Sequence, residues 1–149
     1  MNNGNPITIL FVEDDEAHAE ITLRNLSTLR IINNVFHVND GQKALDYLRN
    51  EGQYSDSKIY VRPDLVLLDL RLPKVDGIEV LNSIKNDKEL QSIPVVVMTT
   101  SDAEKDIVSA YSKGAGSYLV KPMDFDKLVS LMESFGYYWV VWNQYPKKK

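Results

Sequence analysis

The chain has no cysteine. Disulfides, thiol nucleophiles and cysteine-ligated metals are therefore outside its chemistry, and the absence suits a reducing cytoplasm. Long apolar runs are also missing: no stretch approaches the roughly 20 residues needed to cross a bilayer, so a soluble, cytoplasmic protein without membrane contact is expected. Nor is there an excess of positive charge. Lys and Arg number 17 against 21 Asp and Glu, a formal charge of −4, and the basic residues are scattered, so no nucleic-acid partner is expected. The single basic cluster, Lys147-Lys148-Lys149, reads as a solvated tail. Internal repeats and low-complexity segments are absent as well. What is present is 149 residues that are 44% hydrophobic and 26% charged, enough for one domain with its own core and with no sign of a second.

Five short β-branched-rich runs read as strands: Ile7 to Val12, Val35 to Val38, Leu65 to Leu68, Val95 to Met98 and Tyr118 to Val120. Segments of helical period separate them. One stripe is Ala17, Ile21, Leu23, Leu26 and Leu29; others are Ala44, Leu45, Leu48, then Ile78, Leu81, Ile84, then Ile107, Val108, Tyr111. The last, Leu128, Leu131, Met132, Phe135 and Trp139, runs on into an aromatic C-terminus. Asp15, Ser101 and Asp124 are placed to cap helices, Ser101 pairs with Glu104 in a capping box, and Gly114 and Gly116 suit a helix end. The stretch from Gly52 to Pro63 has no period and reads as an extended loop. Strict strand–helix alternation predicts an α/β fold, a doubly wound parallel sheet with helices on both faces. Ligands of such sheets bind beyond the carboxyl ends of the strands, where strand order reverses.

Those ends are unusually charged. The first strand runs into Glu13-Asp14-Asp15, the third into Asp69, the fourth into Thr99-Thr100-Ser101 and the fifth into Lys121-Pro122. Each alone has an ordinary explanation: Asp15 as a helix cap, Glu13 as a loop charge, Thr99 as a strand residue, Lys121 as a surface lysine. Together they crowd carboxylates onto one rim, where like charges raise one another's pKa. A divalent cation relieves the conflict. An all-oxygen, partly hydrated site suits Mg²⁺, whereas calcium cages need more protein oxygens than are found here. With a metal present, one carboxylate can attack a phosphoryl donor while a lysine neutralises the equatorial oxygens and a hydroxyl hydrogen-bonds the same group. His18 and His37 lack metal-ligand spacing and read as structural or surface residues.

Four segments carry a resemblance: Ile-Leu-Phe-Val-Glu-Asp-Asp (9–15), Asp-Leu-Val-Leu-Leu-Asp-Leu-Arg-Leu-Pro-Lys-Val-Asp-Gly (64–77), Ile-Pro-Val-Val-Val-Met-Thr-Thr (93–100) and Gly-Ala-Gly-Ser-Tyr-Leu-Val-Lys-Pro (114–122). In this order they resemble the receiver domains of two-component response regulators, over about residues 8–135. The resemblance implies a flavodoxin-like three-layer fold with five parallel strands in the order 2-1-3-4-5, and a single domain spanning 1–149 whose residues 136–149 form a helical extension and tail. It further implies that Asp69 is the phosphoacceptor, taking its phosphoryl group from a sensor histidine kinase. Glu13, Asp14, Asp69 and the backbone carbonyl of Arg71 would hold Mg²⁺; Lys121 would bind the phosphoryl group; Thr99 would be the switch hydroxyl and Tyr118 the switch aromatic. The bond before Pro122 is expected cis, and Pro73 and Gly77 bracket a tight turn after Asp69. Thr100 stands where many family members carry alanine. The long 52–63 loop and aromatic C-terminus resemble the stand-alone regulators that serve phytochrome-type photoreceptor kinases.

Switching follows from charge. A phosphoryl group adds nearly two negative charges, Thr99 draws the fourth strand's loop inward, and Tyr118 fills the vacated space. The altered surface would be formed by the fourth and fifth helices with the fifth strand. Phe135, Tyr137, Tyr138, Trp139, Trp142 and Tyr145 fall within eleven residues, and Val140 and Val141 make this segment apolar on more than one side, so a homodimer through it is expected, with Phe135, Tyr138, Trp139 and Trp142 on its surface. After Pro146 only lysines follow, so any DNA-binding output is expected to reside in another protein. Two alternatives stand beside this reading. A pseudo-receiver would have lost Asp69, Asp14 or Lys121, and all three are present. A Mg²⁺-dependent aspartyl phosphohydrolase would carry a second acid two positions after its nucleophile, where Arg71 stands. The protein is therefore expected to be a phosphoacceptor and not a turning-over enzyme.

Overall fold

The computed structural model describes residues 6–28 and 33–146. Leu29 of the first helical stripe and the triple-lysine tail lie outside the described residues. Five strands, β1 (Ile7–Val12), β2 (Asn33–Val38), β3 (Leu65–Leu68), β4 (Val95–Thr99) and β5 (Ser117–Val120), form one parallel sheet in the order β2-β1-β3-β4-β5. Five helices alternate with them: α1 (Glu16–Ser27), α2 (Gly41–Arg49), α3 (Gly77–Lys85), α4 (Glu104–Ser112) and α5 (Phe125–Phe135). Strand order reverses between β1 and β3, so the expected crevice opens at their carboxyl ends.

The pleat divides the core in two. Leu10, Val12, Val66, Leu68, Val95 and Val97 face α2, α3 and α4 through Ala44, Leu48, Val80, Leu81 and Ala110. Their alternates Ile9, Phe11, Leu65, Leu67, Val96 and Met98 face α1 and α5 through Ala19, Leu26, Met132 and Phe135. Every strand residue of β1, β3 and β4 is buried, as expected for a parallel sheet covered on both sides. Two helical stripes depart from expectation. The buried positions of α1 are Ala19, Thr22 and Leu26, because a polar threonine completes the inward face. On α4 only Ala110 is buried, while Val108 and Tyr111 are exposed.

The 52–63 segment is not simply extended. It opens with a 3₁₀ turn at Gly52–Tyr54, and Tyr54 and Tyr60 pack edge-on against each other and close to Tyr47, with Phe36 beside Tyr47 and Tyr60. Asn50, in the left-handed conformation that ends α2, donates from its amide to the carbonyls of Tyr54 and Tyr60, and the Tyr47 hydroxyl donates to the Val61 carbonyl. Beyond α5 the chain widens into a π-helical segment, Gly136–Trp142, closed by a bond from Asn143 N–H to the Tyr138 carbonyl. This turn buries Val140 completely and leads to Tyr145, whose hydroxyl donates to the Trp139 carbonyl at 2.5 Å. Among the described residues no helix is long and apolar enough to cross a membrane.

Candidate functional site

Register builds the site. Val12 pairs with Leu68, so Glu13 and Asp69 are the next residues to leave adjacent strands. Both are still fixed by the backbone: Glu13 N–H donates to the Val38 carbonyl and Asp69 N–H to the Val12 carbonyl, each at 3.1 Å. Lys121 arrives from the opposite edge. Thr99 pairs with Val120 across β4 and β5, and Lys121 N–H donates to the Thr99 carbonyl at 2.7 Å. The three side chains converge below the surface, with Glu13, Asp69 and Lys121 only 2%, 8% and 5% exposed. The Lys121 ammonium donates to Glu13 Oε1 and to Asp69 Oδ2 (3.1 Å), and lies 3.2 Å from His18 Nδ1.

Asp14 stands exposed at the rim, and carboxylate oxygens of Glu13, Asp14 and Asp69 lie within 4.8 Å of one another. Asp15 caps α1, its carboxylate accepting from His18 N–H at 3.0 Å, in the role expected for it. Electrostatics in this cluster are loaded. Burial, reinforced by the neighbouring Asp69 carboxylate, pushes Glu13 from 4.5 up to about 8 against the pull of Lys121. Asp69 is held below its ordinary value: burial works against ionisation, but the hydrogen bond with Glu13, the Lys121 charge and the Arg71 N–H (3.2 Å to Oδ1) outweigh it. Burial therefore favours the protonated form of Glu13, and a divalent cation would favour the carboxylate. An all-oxygen donor set, partly open to solvent and carrying this load, fits a hard cation such as Mg²⁺.

The turn after Asp69 is tight. A Cβ at Gly77 would stand 2.3 Å from the Asp69 carbonyl oxygen, which is why α3 can begin there only with glycine. Thr99 is fully buried, its Oγ1 3.5 Å from Ser101 N–H. Tyr118 is half-buried and its hydroxyl donates to the Ser101 carbonyl at 2.9 Å. Ser101 Oγ donates to Asp106 Oδ2 at 2.5 Å, and Arg71 reaches the same oxygen at 3.5 Å. The loop between β4 and α4 is therefore tied both to β5 and to the turn after Asp69.

Three expectations are corrected, and one contact is unforeseen. Ser101 does not cap α4, because the helix starts at Glu104 behind Ala103 and the serine hydroxyl is engaged with Asp106. The bond before Pro122 is trans, the isomer that X–Pro bonds favour by about 0.5–1 kcal/mol, and Lys121 enters the site through its extended backbone bond to Thr99. Phe135 lies in the protein's own core and Trp139 packs half-buried against it, so of the four residues assigned to a dimer surface only Tyr138 (57% exposed) and Trp142 (63%) face outward. His18, read as a structural or surface residue, stands against Lys121. Its position on the first turn of α1 gave no hint of a partner 103 residues away.

Comparison with known proteins agrees with this geometry. The model of the response regulator receiver domain matches residues 9–133. The probable methanogenesis regulatory protein FilR2 of Methanothrix harundinacea is 46% identical over 142 residues, covering 95% of this chain and 88% of the relative. Response regulator Rcp1 of a Synechocystis species is 38% identical over 135 residues, 91% of this chain and 90% of the relative. Among solved structures, the Mn²⁺-bound form of Rcp1 gives a TM-score of 0.91 at 37% identity, over 95% of this chain and 100% of that one. The phosphorylated cyanobacterial phytochrome response regulator RcpA gives 0.90 at 37% identity, over 96% and 100%. Since the family model spans the sheet from β1 to α5 and relatives match along nearly their whole lengths, the chain belongs to the response regulator receiver domains of two-component signalling.

Proposed function

We propose that this chain is a single receiver domain whose Asp69 accepts a phosphoryl group from a sensor histidine kinase in the cytoplasm. The observation that carries the reading is the Lys121 ammonium seated on Asp69 Oδ2 beside the acidic cluster. Glu13, Asp14, Asp69 and the Arg71 carbonyl would hold Mg²⁺, which when bound supplies positive charge to the phosphoryl oxygens. An Asp69 carboxylate oxygen attacks phosphorus in line, the P–N bond to the kinase histidine breaks, and its electron pair leaves with the imidazole. Lys121 then transfers its hydrogen bond from the carboxylate to a phosphoryl oxygen. Thr99, buried on β4, is the hydroxyl that turns toward the new anion, and its movement releases the Ser101 carbonyl from Tyr118. With Arg71 where a hydrolase would carry its second acid, the only catalysis is self-directed, the loss of its own phosphoryl group.

The kinase is proposed to be of the phytochrome type, since RcpA is described as a phytochrome response regulator. A second copy of the chain is the proposed occupant of the exposed ring face at Tyr137, Tyr138 and Trp142. Incubation with acetyl phosphate and Mg²⁺, followed by intact mass, tests the chemistry. A Mg²⁺-dependent phosphoryl adduct is expected on the wild type and not on Asp69→Asn; no adduct on the wild type leaves a pseudo-receiver that acts only by binding. Gel filtration at micromolar concentration tests the dimer, and a monomer in both phosphorylation states refutes it.

A further inference from the structure

We propose that His18 is a positioning residue for phosphoryl transfer: its Nδ1 accepts the third hydrogen bond of the Lys121 ammonium and holds that charge in place while the carboxylates change partners. The inference rests on the receiver reading above. A lysine ammonium has three donors and no acceptor. Three atoms stand around Lys121 Nζ: Glu13 Oε1, Asp69 Oδ2 at 3.1 Å and His18 Nδ1 at 3.2 Å. The lysine side chain is only 3% exposed, so water has little room to take the place of a missing partner.

A donor-only group facing a ring nitrogen fixes that nitrogen as the acceptor. The contact therefore calls for the tautomer that carries its proton on Nε2. Its other neighbour does not compete: Asp15 Oδ2 is 3.9 Å from Nδ1, too long for a hydrogen bond. The ring is carried on the capped first turn of α1, where Asp15 Oδ1 accepts from His18 N–H at 3.0 Å. Helix start and lysine are thereby joined through one residue.

The arrangement matters because the other two acceptors are temporary. Glu13 and Asp69 belong to the acidic cluster that a cation would recruit, and Asp69 is also the nucleophile. When they turn to the metal and the phosphoryl group, Lys121 keeps a fixed partner only in His18. Without it the ammonium has one unsatisfied donor in a nearly dry site and samples positions off the phosphoryl oxygen.

Long-range ¹H–¹⁵N spectra of the metal-free protein test the contact directly. An unprotonated His18 Nδ1 is expected, with a resonance that moves in Lys121→Met; a protonated Nδ1 overturns the proposal. Labelling by acetyl phosphate with Mg²⁺ tests the role. His18→Leu should label about tenfold more slowly than the wild type, equivalent to about 1.4 kcal/mol. His18→Asn, whose Oδ1 can take the Nδ1 position, should recover most of that loss, and Mg²⁺ affinity should be unchanged in both. Wild-type labelling by His18→Leu, or no recovery in a folded His18→Asn, refutes it. Failure of the wild type to take any adduct would overturn the receiver reading, while the spectra would still decide the His18–Lys121 contact.

Discussion

Replacing Gly77 by alanine asks how closely the peptide of Asp69, the proposed phosphoacceptor, is clamped. The new methyl carbon would stand 2.3 Å from the Asp69 carbonyl oxygen and 2.5 Å from Leu70 Cα. Non-bonded heavy atoms settle near 3.5 Å, so a gap of roughly 1 Å must open. Neither neighbour is a flexible side-chain end, and the Gly77 N–H is itself bonded to the Leu70 carbonyl at 2.9 Å, so the displacement falls on the backbone that carries Asp69. Forced overpacking costs about 1–3 kcal/mol of stability. A misplacement of about 1 Å at a reacting group costs on the order of 100-fold in rate. Gly41→Ala is the matched control: its Cβ would meet the Val75 carbonyl oxygen at 1.8 Å, an even harder clash that falls on the far end of the same turn. Urea unfolding should show both variants destabilised, and acetyl phosphate labelling followed by intact mass should show the large rate loss only in Gly77→Ala. A folded Gly77→Ala that labels at the wild-type rate, or a Gly41→Ala that labels more slowly than Gly77→Ala, refutes the reasoning.

Lys121→Met strands two buried carboxyl groups without their cation, and is expected to lose about 3–5 kcal/mol in EDTA and less in Mg²⁺; an equal loss in both, measured by urea unfolding, would show that the cluster does not take the metal. Val140→Ala should cost about 2 kcal/mol, because two methyl groups leave a fully buried site, whereas Trp142→Ala should stay within about 0.5 kcal/mol for the monomer, measured at concentrations too low for copies to pair; equal costs there would mean that the π-helical segment is not core. Burial, then the neighbouring Tyr60, pushes the Tyr47 phenol above its ordinary value of 10.0. A raised folded pKa favours the protonated form, so this stability is complete at neutral pH and is lost as pH climbs past about 10. The urea midpoint should fall on that alkaline limb, and Tyr47→Phe should flatten the fall.

Period and turn chemistry made most of the architecture readable. β1 and β3 were bounded to the residue by their β-branched runs, and Asp15 and Asp124 cap α1 and α5 as their side chains suggested. The departures lie where a side chain's place is set by packing or by a partner outside its own local pattern. Ser101 looks like a helix cap until Asp106 and Tyr118 are seen competing for its hydroxyl and carbonyl. Thr22 breaks the apparent stripe of α1 because a small polar residue can fill an inward position. The 52–63 stretch has no period, since its order comes from Tyr54 and Tyr60 packing on Tyr47 and not from backbone repetition. Carboxylates and lysine at the rim were legible because strand ends in a parallel sheet converge. The bond between His18 and Lys121 was not, for no local pattern encodes it.

The bond from Lys121 to Glu13 joins residues 108 positions apart, and the one to Asp69 spans 52. During synthesis, Asp69, the proposed nucleophile, therefore emerges from the ribosome well before the cation that completes its site. Until β5 docks at the sheet edge, a nascent or broken chain presents Asp69 without its ammonium partner. On the proposed reading, signal reception is thus tied to completion of the sheet, so a fragment ending before residue 121 would keep Asp69 and yet offer no finished site.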